Sequence, residues 1–397
     1  MKYNFDDMPD RKNSEAMKWH HFDDDVLPMW VADMDFVSPQ PVIRALQERV
    51  AQGVFGYAGE MPGLREVIVE RLERVYHWKV ATEDVVIVPG VVTGFNMAAH
   101  ALIHPGEGVL IQPPVYGPFL SAARNAGGIS QEARLSARED GFYSFDPDAF
   151  EAAITEQTRM FLLCNPHNPV GRVFTRQELA CLGEICLRHH LVICSDDIHS
   201  DLVFSGHRHT PIASISDEIA QNTITLMAPS KTYNIAGLSC SFAVIQNPAL
   251  RKLFISGGKG LAHGANLLGL VAAKAAYQDG QEWLDQLLVY LEGNRDYLYK
   301  FINEQAPRQN LPGVKMFCPE GTYLAWLDCR EAGIPGKPHE FFLQKARVAV
   351  NNGEAFGPGC EGFVRLNFGC PRAMLVEALQ RMKGALEQLH ATGERGI

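Results

Sequence analysis

At 397 residues, 46% of them hydrophobic and 21% charged, the chain is long enough for two domains with separate cores and has the composition of an ordinary globular protein. A formal net charge of -10 argues against a nucleic-acid-binding surface, and no apolar run reaches the length that spans a bilayer. Nine scattered cysteines with no C-x-x-C pair, and a start (Met1-Lys2-Tyr3-Asn4-Phe5-Asp6-Asp7) without an apolar export segment, point to reduced thiols in a cytoplasmic protein rather than a disulfide framework or a metal site.

Residues 1–45 read as an irregular arm, acidic at Asp23-Asp24-Asp25 and then apolar and turn-rich from Leu27 to Phe36. Such an arm packs on a partner subunit, covers a cleft, or lies on its own domain. Pro41 suits the first turn of a helix over Val42–Val50. Gly53-Val54-Phe55-Gly56-Tyr57 is a glycine-flanked aromatic turn, followed by a helical pattern over Leu64–Val75. From there the chain alternates. Val85–Val88 is an apolar strand broken by Pro89-Gly90, and Val91–Ile103 is a helix. Val109–Gln112 runs through Pro113-Pro114-Val115-Tyr116 into a helix near Phe119–Ala126. Met160–Cys164 ends at Asn165-Pro166-His167-Asn168-Pro169, and Thr175 and Glu178 have capping-box spacing at the head of a helix over Thr175–His189. Leu191–Ser195 leads to Asp196-Asp197-Ile198-His199, and Thr223–Leu226 leads to Met227-Ala228-Pro229-Ser230-Lys231.

Strands alternating with helices predict an α/β fold with a mostly parallel sheet covered on both faces, here a large domain over 46–285. Ala265–Gln305 reads as one or two long helices leading out of it. Strand candidates Thr322–Leu327 and Phe363–Phe368, a helix at Pro338–Ala346 and another at Ala373–Leu389 then build a smaller α+β domain over 286–397, to which the arm contributes.

Ligands of an open α/β sheet bind beyond the carboxyl ends of the strands. Gly90, Tyr116, Asn168, Asp196 and Lys231 each follow an apolar run, so all fall at that edge. Alone each has an ordinary reading: a turn glycine, a core plug, a turn residue, a helix cap, and a lysine reaching solvent. Together they form a constellation. The strand–glycine–helix unit at Gly90 gathers backbone N–H groups suited to a phosphate. A lysine desolvated at a strand end has the lowered basicity that carbonyl chemistry uses.

The chain resembles the fold-type I pyridoxal phosphate (PLP) enzymes of the class I/II aminotransferase superfamily, with the aspartate aminotransferase-like fold. Within it the chain is similar to the cystathionine β-lyase-like C–S lyases, the MalY/PatB group. The residues that carry the resemblance are Leu27–Phe36, Val54-Phe55-Gly56-Tyr57, Gln112–Tyr116, Cys164–Pro169, Ser195–Asp201, Pro229–Gly237 and Arg365-Leu366-Asn367.

That resemblance implies that Lys231 holds PLP as a Schiff base and then serves as the base at the substrate Cα. Asp196 is implied to pair with the pyridine nitrogen, Asn168 and His199 with the ring oxygen, and Tyr116 to stack on the ring. The phosphate is implied to lie on Gly90, Val91, Val92 and Ser230, with Tyr57 reaching the neighbouring subunit's phosphate in a homodimer. Many aminotransferases carry an arginine eight positions after the lysine; Ser239 stands there, so the phosphate relies more on amides and hydroxyls. Arg365, inside an apolar strand, is either a paired core ion or the implied fork for the substrate α-carboxylate, with the arm near Val31, Ala32 and Asp33 closing over it. None of the remaining histidine pairs has metal-ligand spacing.

The expected reaction is α,β-elimination on cystathionine or another cysteine S-conjugate, giving pyruvate, ammonia and a thiol. Aminotransfer on L-amino acids uses the same residues. A regulatory protein-binding role, which one member of this group has toward an activator of maltose metabolism, would be additional to catalysis.

Overall fold

The computed structural model describes residues 2–304 and 310–392. Met1, residues 305–309 and residues 393–397, which fall in the expected arm, the end of the helical stretch and the small domain, lie outside them. A seven-stranded sheet forms the larger body. Its strands are β1 (Val85–Val88), β2 (Gly108–Ile111), β3 (Ile129–Glu132), β4 (Thr158–Cys164), β5 (Val192–Asp196), β6 (Thr223–Met227) and β7 (Ser241–Val244), in the spatial order β1-β7-β6-β5-β4-β2-β3. Only β7 runs against its neighbours, so the carboxyl ends of β1, β2, β4, β5 and β6 share one edge.

Both faces of this sheet are covered, as its near-continuous apolar strands require. On β4, Met160 and Leu162 face one hydrophobic cluster while Phe161 and Leu163 face another. Each is fully buried, a contribution of ~1.5–3 kcal/mol per side chain, so the site stands on a rigid platform. Helix α1 spans Gln40–Ala51, α2 Leu64–Tyr76, α3 Val91–Leu102, α4 Gly117–Asn125 and α5 Arg176–Arg188. Thr175 caps α5 in a complete capping box with Glu178, which also takes Arg172. On α3, a Cβ at Gly94 would stand 2.7 Å from a Leu226 methyl, so glycine is what lets α3 lie so close to β6.

Two helices occupy the stretch expected to hold one or two, α6 (Leu267–Asp279) and α7 (Gln281–Asn303), divided at Gly280. Beyond them a four-stranded antiparallel sheet has the order β8-β9-β11-β10, where β8 is Lys315–Met316, β9 Leu324–Asp328, β10 Asn351–Asn352 and β11 Phe363–Asn367. Strand β9 begins two residues later than the apolar pattern suggests because Thr322 has φ 67°, a left-handed conformation no strand residue adopts. Pro338–Ala346 is one α-turn followed by a π-helical turn, and α8 (Arg372–Thr392) closes the described chain. No helix among the described residues is long and apolar enough to cross a membrane.

The arm lies on its own chain. Leu27 and Pro28 pair in parallel with Val348 and Ala349. The acidic run before them faces Arg347, whose guanidinium takes both Asp23 and Asp25. Deeper in, Asp35 is fully buried and accepts from Lys18, Arg11 and Trp19. Asn234, three residues past Lys231, ties on the next part of the arm through Met34 N–H and the Met34 and Phe36 carbonyls.

Candidate active site

At the carboxyl edge of the large sheet lies a cavity of about 440 Å³. Twelve of the expected residues line it: Val31, Ala32, Gly90, Val91, Val92, Tyr116, Asn168, Asp196, His199, Ser230, Lys231 and Arg365. Two do not. The Asp33 carboxylate forms ion pairs with Arg11 and Lys18 instead. Tyr57 is fully exposed and borders a separate cleft with Arg49 and Val54.

Lys231 emerges from the short helical turn Pro229–Thr232 directly after β6, and its Nζ donates to the Ala32 carbonyl at 2.6 Å. Burial lowers its pKa to about 8, helped by the charge of Arg365 and opposed by Asp33 and Asp196. A neutral amine is therefore available near neutrality, which an ordinary lysine does not offer.

Asp196 ends β5 and is 4% exposed. Among the described residues its carboxylate accepts one hydrogen bond, from the Ile198 N–H at 3.1 Å. Burial, with Asp197 beside it, raises its pKa to about 7. A carboxylate so placed has room for a cationic N–H partner. His199 is pushed down to about 3 by burial and by the charges of Lys231 and Arg365, so its imidazole is neutral, and its buried Nδ1 has no hydrogen-bond partner among the described residues.

Arg365 on β11 is 4% exposed and forms no ion pair with a carboxylate among the described residues. Its Nη1 donates to Asn168 Oδ1 at 2.9 Å, and Nη2 donates to Asn351 Oδ1 at 2.6 Å and the Trp30 carbonyl at 3.0 Å. Nε is buried and has no hydrogen-bond partner among the described residues. Burial lowers even this guanidinium, to about 10, despite Tyr116 and Tyr323. A paired core ion would need a carboxylate beside it, and Arg365 has none among the described residues; a buried cation held by neutral acceptors alone favours an incoming anion.

Gly90 precedes α3 with φ 147° and ψ 149°, in glycine's own region, and the first α3 residues, Val91, Val92 and Thr93, line the cavity. Thr93, Ser230, Ser239 and Ser241 bring hydroxyl-bearing residues to the same wall. Amides at a helix N-terminus with hydroxyls nearby suit a phosphate.

Every carbonyl from Trp30 to Met34 accepts from a side chain elsewhere in the chain. Trp30 takes Arg365; Val31 and Asp33 both take Asn367; Ala32 takes Lys231 and Tyr323; Met34 takes Asn234 and Arg11. Asp33 also receives Lys18. Trp30, Asn351 and Tyr323 are site residues that sequence reasoning does not single out. Asn351 shows its place only in the β10–β11 register, opposite Arg365.

PLP asks for a lysine amine, a carboxylate for the ring nitrogen, donors for the ring oxygen and a phosphate cradle, and this donor set supplies each. Among the described residues no cluster of three or more His, Cys, Asp or Glu is placed to hold a metal ion.

The model of the family aminotransferase class I and II matches residues 25–382, and the chain belongs to that family. Cystathionine beta-lyase PatB of Bacillus subtilis is 40% identical over 393 residues, covering 96% of this chain and 100% of that protein. The crystal structure of OvoB is similar with a TM-score of 0.91 at 44% identity, over 97% of this chain and 99% of that one. Cystalysin from Treponema denticola, whose crystal structure contains a pyridoxal 5′-phosphate cofactor, has a TM-score of 0.92 at 32% identity, over 98% of this chain and 100% of its own.

Proposed function

We propose that this protein is a PLP-dependent carbon–sulfur β-lyase, converting cystathionine or another cysteine S-conjugate and water to pyruvate, ammonia and a thiol. The observation that carries the reading is Arg365, a buried guanidinium without a carboxylate, set in one cavity with a lysine amine lowered to about 8. That pair fits an α-amino acid, with its carboxylate on the arginine and its Cα toward the lysine.

PLP, when bound, supplies an electron sink conjugated with the substrate Cα. In this reading Lys231 tethers the cofactor, and once free of it takes the proton from Cα. Asp196 faces the ring nitrogen. Asn168 offers Nδ2 to the ring oxygen, its Oδ1 being engaged by Arg365, and the neutral His199 serves the same oxygen. Tyr116 covers the ring face. The Val91 and Val92 amides behind Gly90, with Ser230, hold the phosphate. Arg365 takes the substrate carboxylate, Ala32 presents the arm that closes over it, and Asp33 acts from behind through its ion pairs.

The same reading makes the working unit a homodimer. Val54, Phe55 and Tyr57 are exposed apolar and aromatic residues close together in the chain, and Tyr57 is free to reach a partner's phosphate. It also places the enzyme in the cytoplasm, supported by nine cysteines that are all free thiols.

The test is pyruvate and thiol release from cystathionine and from S-alkyl cysteines without a keto acid. Product under these conditions supports elimination; turnover only when a keto acid is added would make the enzyme an aminotransferase.

A further inference from the structure

We propose that Tyr323 is a positioning residue for Lys231, acting through the Ala32 carbonyl that both side chains share. The inference rests on the reading of Lys231 as the lysine that tethers PLP and moves the Cα proton.

Tyr323 is wholly buried, and its hydroxyl donates to the Ala32 oxygen at 2.9 Å, the oxygen that Lys231 Nζ reaches at 2.6 Å. The backbone around Tyr323 is fixed at some cost. Thr322, β-branched, is held at φ 67°, where such residues rarely go. Its N–H donates to the Leu202 carbonyl at 2.7 Å and its Oγ1 accepts from Leu324 N–H at 3.1 Å. The Tyr323 carbonyl accepts from Phe368 N–H at 2.9 Å. The ring packs edge-on to His199 at 6.0 Å. Burial and the nearby Asp33 raise the Tyr323 pKa well above 10, so the hydroxyl stays protonated and remains a donor.

A carbonyl oxygen that already accepts from a neutral hydroxyl stabilises an ammonium less than one that is free. Tyr323 therefore does two things. It holds the acceptor in place when the amine leaves it, and it keeps the amine from gaining the full benefit of that acceptor when it returns. The other groups facing the amine are Asp33 and Asp196, which favour its charged form, Arg365, which opposes it, and His199, which is neutral there. Tyr323→Phe removes none of these charges and conserves the ring.

The experiment compares wild type, Tyr323→Phe and Lys231→Ala. The rate at which each apoprotein captures PLP is followed by absorbance from about pH 6 to about pH 10. For Tyr323→Phe the midpoint of the capture profile moves up by about one unit, so capture near pH 7 slows about tenfold. The acid limb of kcat for elimination moves the same way. KM changes little, because the bonds of Arg365 to Asn168, Asn351 and Trp30 are untouched. Profiles that coincide with wild type would overturn the proposal, as would a lower Tm with no shift in pH dependence, the mark of a merely structural tyrosine. If Lys231→Ala still links PLP and turns over, the reading of Lys231 fails; if Lys231→Ala is inactive and Tyr323→Phe is indifferent to pH, only the role of Tyr323 fails.

Discussion

Arg365 and Asn168, 197 positions apart in the chain, are joined by a hydrogen bond from Nη1 to Oδ1 at 2.9 Å. The proposed carboxylate anchor and the proposed partner of the ring oxygen are thus one unit, and their variants separate two kinds of loss. Arg365→Ala removes the fork and raises KM about a hundredfold, close to the ~2–5 kcal/mol of a truncated buried charged pair, with little change in cofactor Kd. Asn168→Ala weakens both cofactor and substrate binding, since it removes a ring contact and lets the guanidinium drift. Cofactor titration and steady-state kinetics on the two variants decide this.

Asp196 makes the apoprotein's stability depend on pH. Its folded pKa of about 7 lies above its ordinary value, so between about pH 4 and 7 the folded state holds a proton that the unfolded chain has released. Stability from this group is present at low pH and falls as pH rises toward 7. Asp196→Asn mimics the protonated form and removes that slope. The Tm of apo Asp196→Asn minus that of wild type should grow from pH 5 to pH 7 and then level off; a constant difference would contradict it. The same variant should lose most elimination activity.

The buried Lys18–Asp35 pair in the arm, at 2.6 Å, predicts an asymmetry. Asp35→Ala takes the close carboxylate from a lysine that is 2% exposed, leaving it Asp33 at 3.6 Å, and leaves the Trp19 indole N–H unmatched, costing ~3 kcal/mol. Lys18→Met costs less, because Arg11 still faces Asp35. Urea denaturation of both variants tests the order.

Asn234→Ala removes three hydrogen bonds to Met34 and Phe36. At ~0.5–1.5 kcal/mol each, the arm loosens while the sheet does not. Amide exchange at residues 33–36 should quicken markedly, with the β4–β6 strands unchanged.

A dimer that shares its sites across the interface is testable by mixing. Tyr57→Ala and Lys231→Ala homodimers should each have little activity. Subunits exchanged between them should regain a substantial fraction, because one site of each hybrid takes an intact Tyr57 from one chain and an intact Lys231 from the other. No recovery after proven exchange counts against Tyr57 acting in trans.

Much of the large sheet was legible because its strands are short apolar runs stopped by Gly, Pro, Asn or Asp, and a parallel sheet puts those stops at one edge. Thus Gly90, Tyr116, Asn168, Asp196 and Lys231 could be grouped from local pattern, while their separate roles came from the family resemblance. Contacts that depend on register or distant pairing left no local trace. Asn351 looks like any asparagine between strands until the β10–β11 ladder sets it opposite Arg365. Tyr323 reads as a strand aromatic, because nothing in Gly321-Thr322-Tyr323 announces a left-handed threonine. Asp33 reads as a substrate contact by its place beside Ala32 in the arm; its charge is claimed by Arg11 and Lys18, from a part of the arm with no recognisable pattern.

The run of carbonyls from Trp30 to Met34, each gripped by a side chain from elsewhere, makes these contacts indifferent to side-chain identity and intolerant of slippage. Main-chain oxygens persist whatever side chain is installed, so Val31 can change identity without losing its bond to Asn367. Deleting or inserting one residue there would hand each grip the wrong oxygen, parting Lys231 from Ala32 and Arg365 from Trp30 in a single step. Spacing, more than spelling, is what this stretch has to preserve.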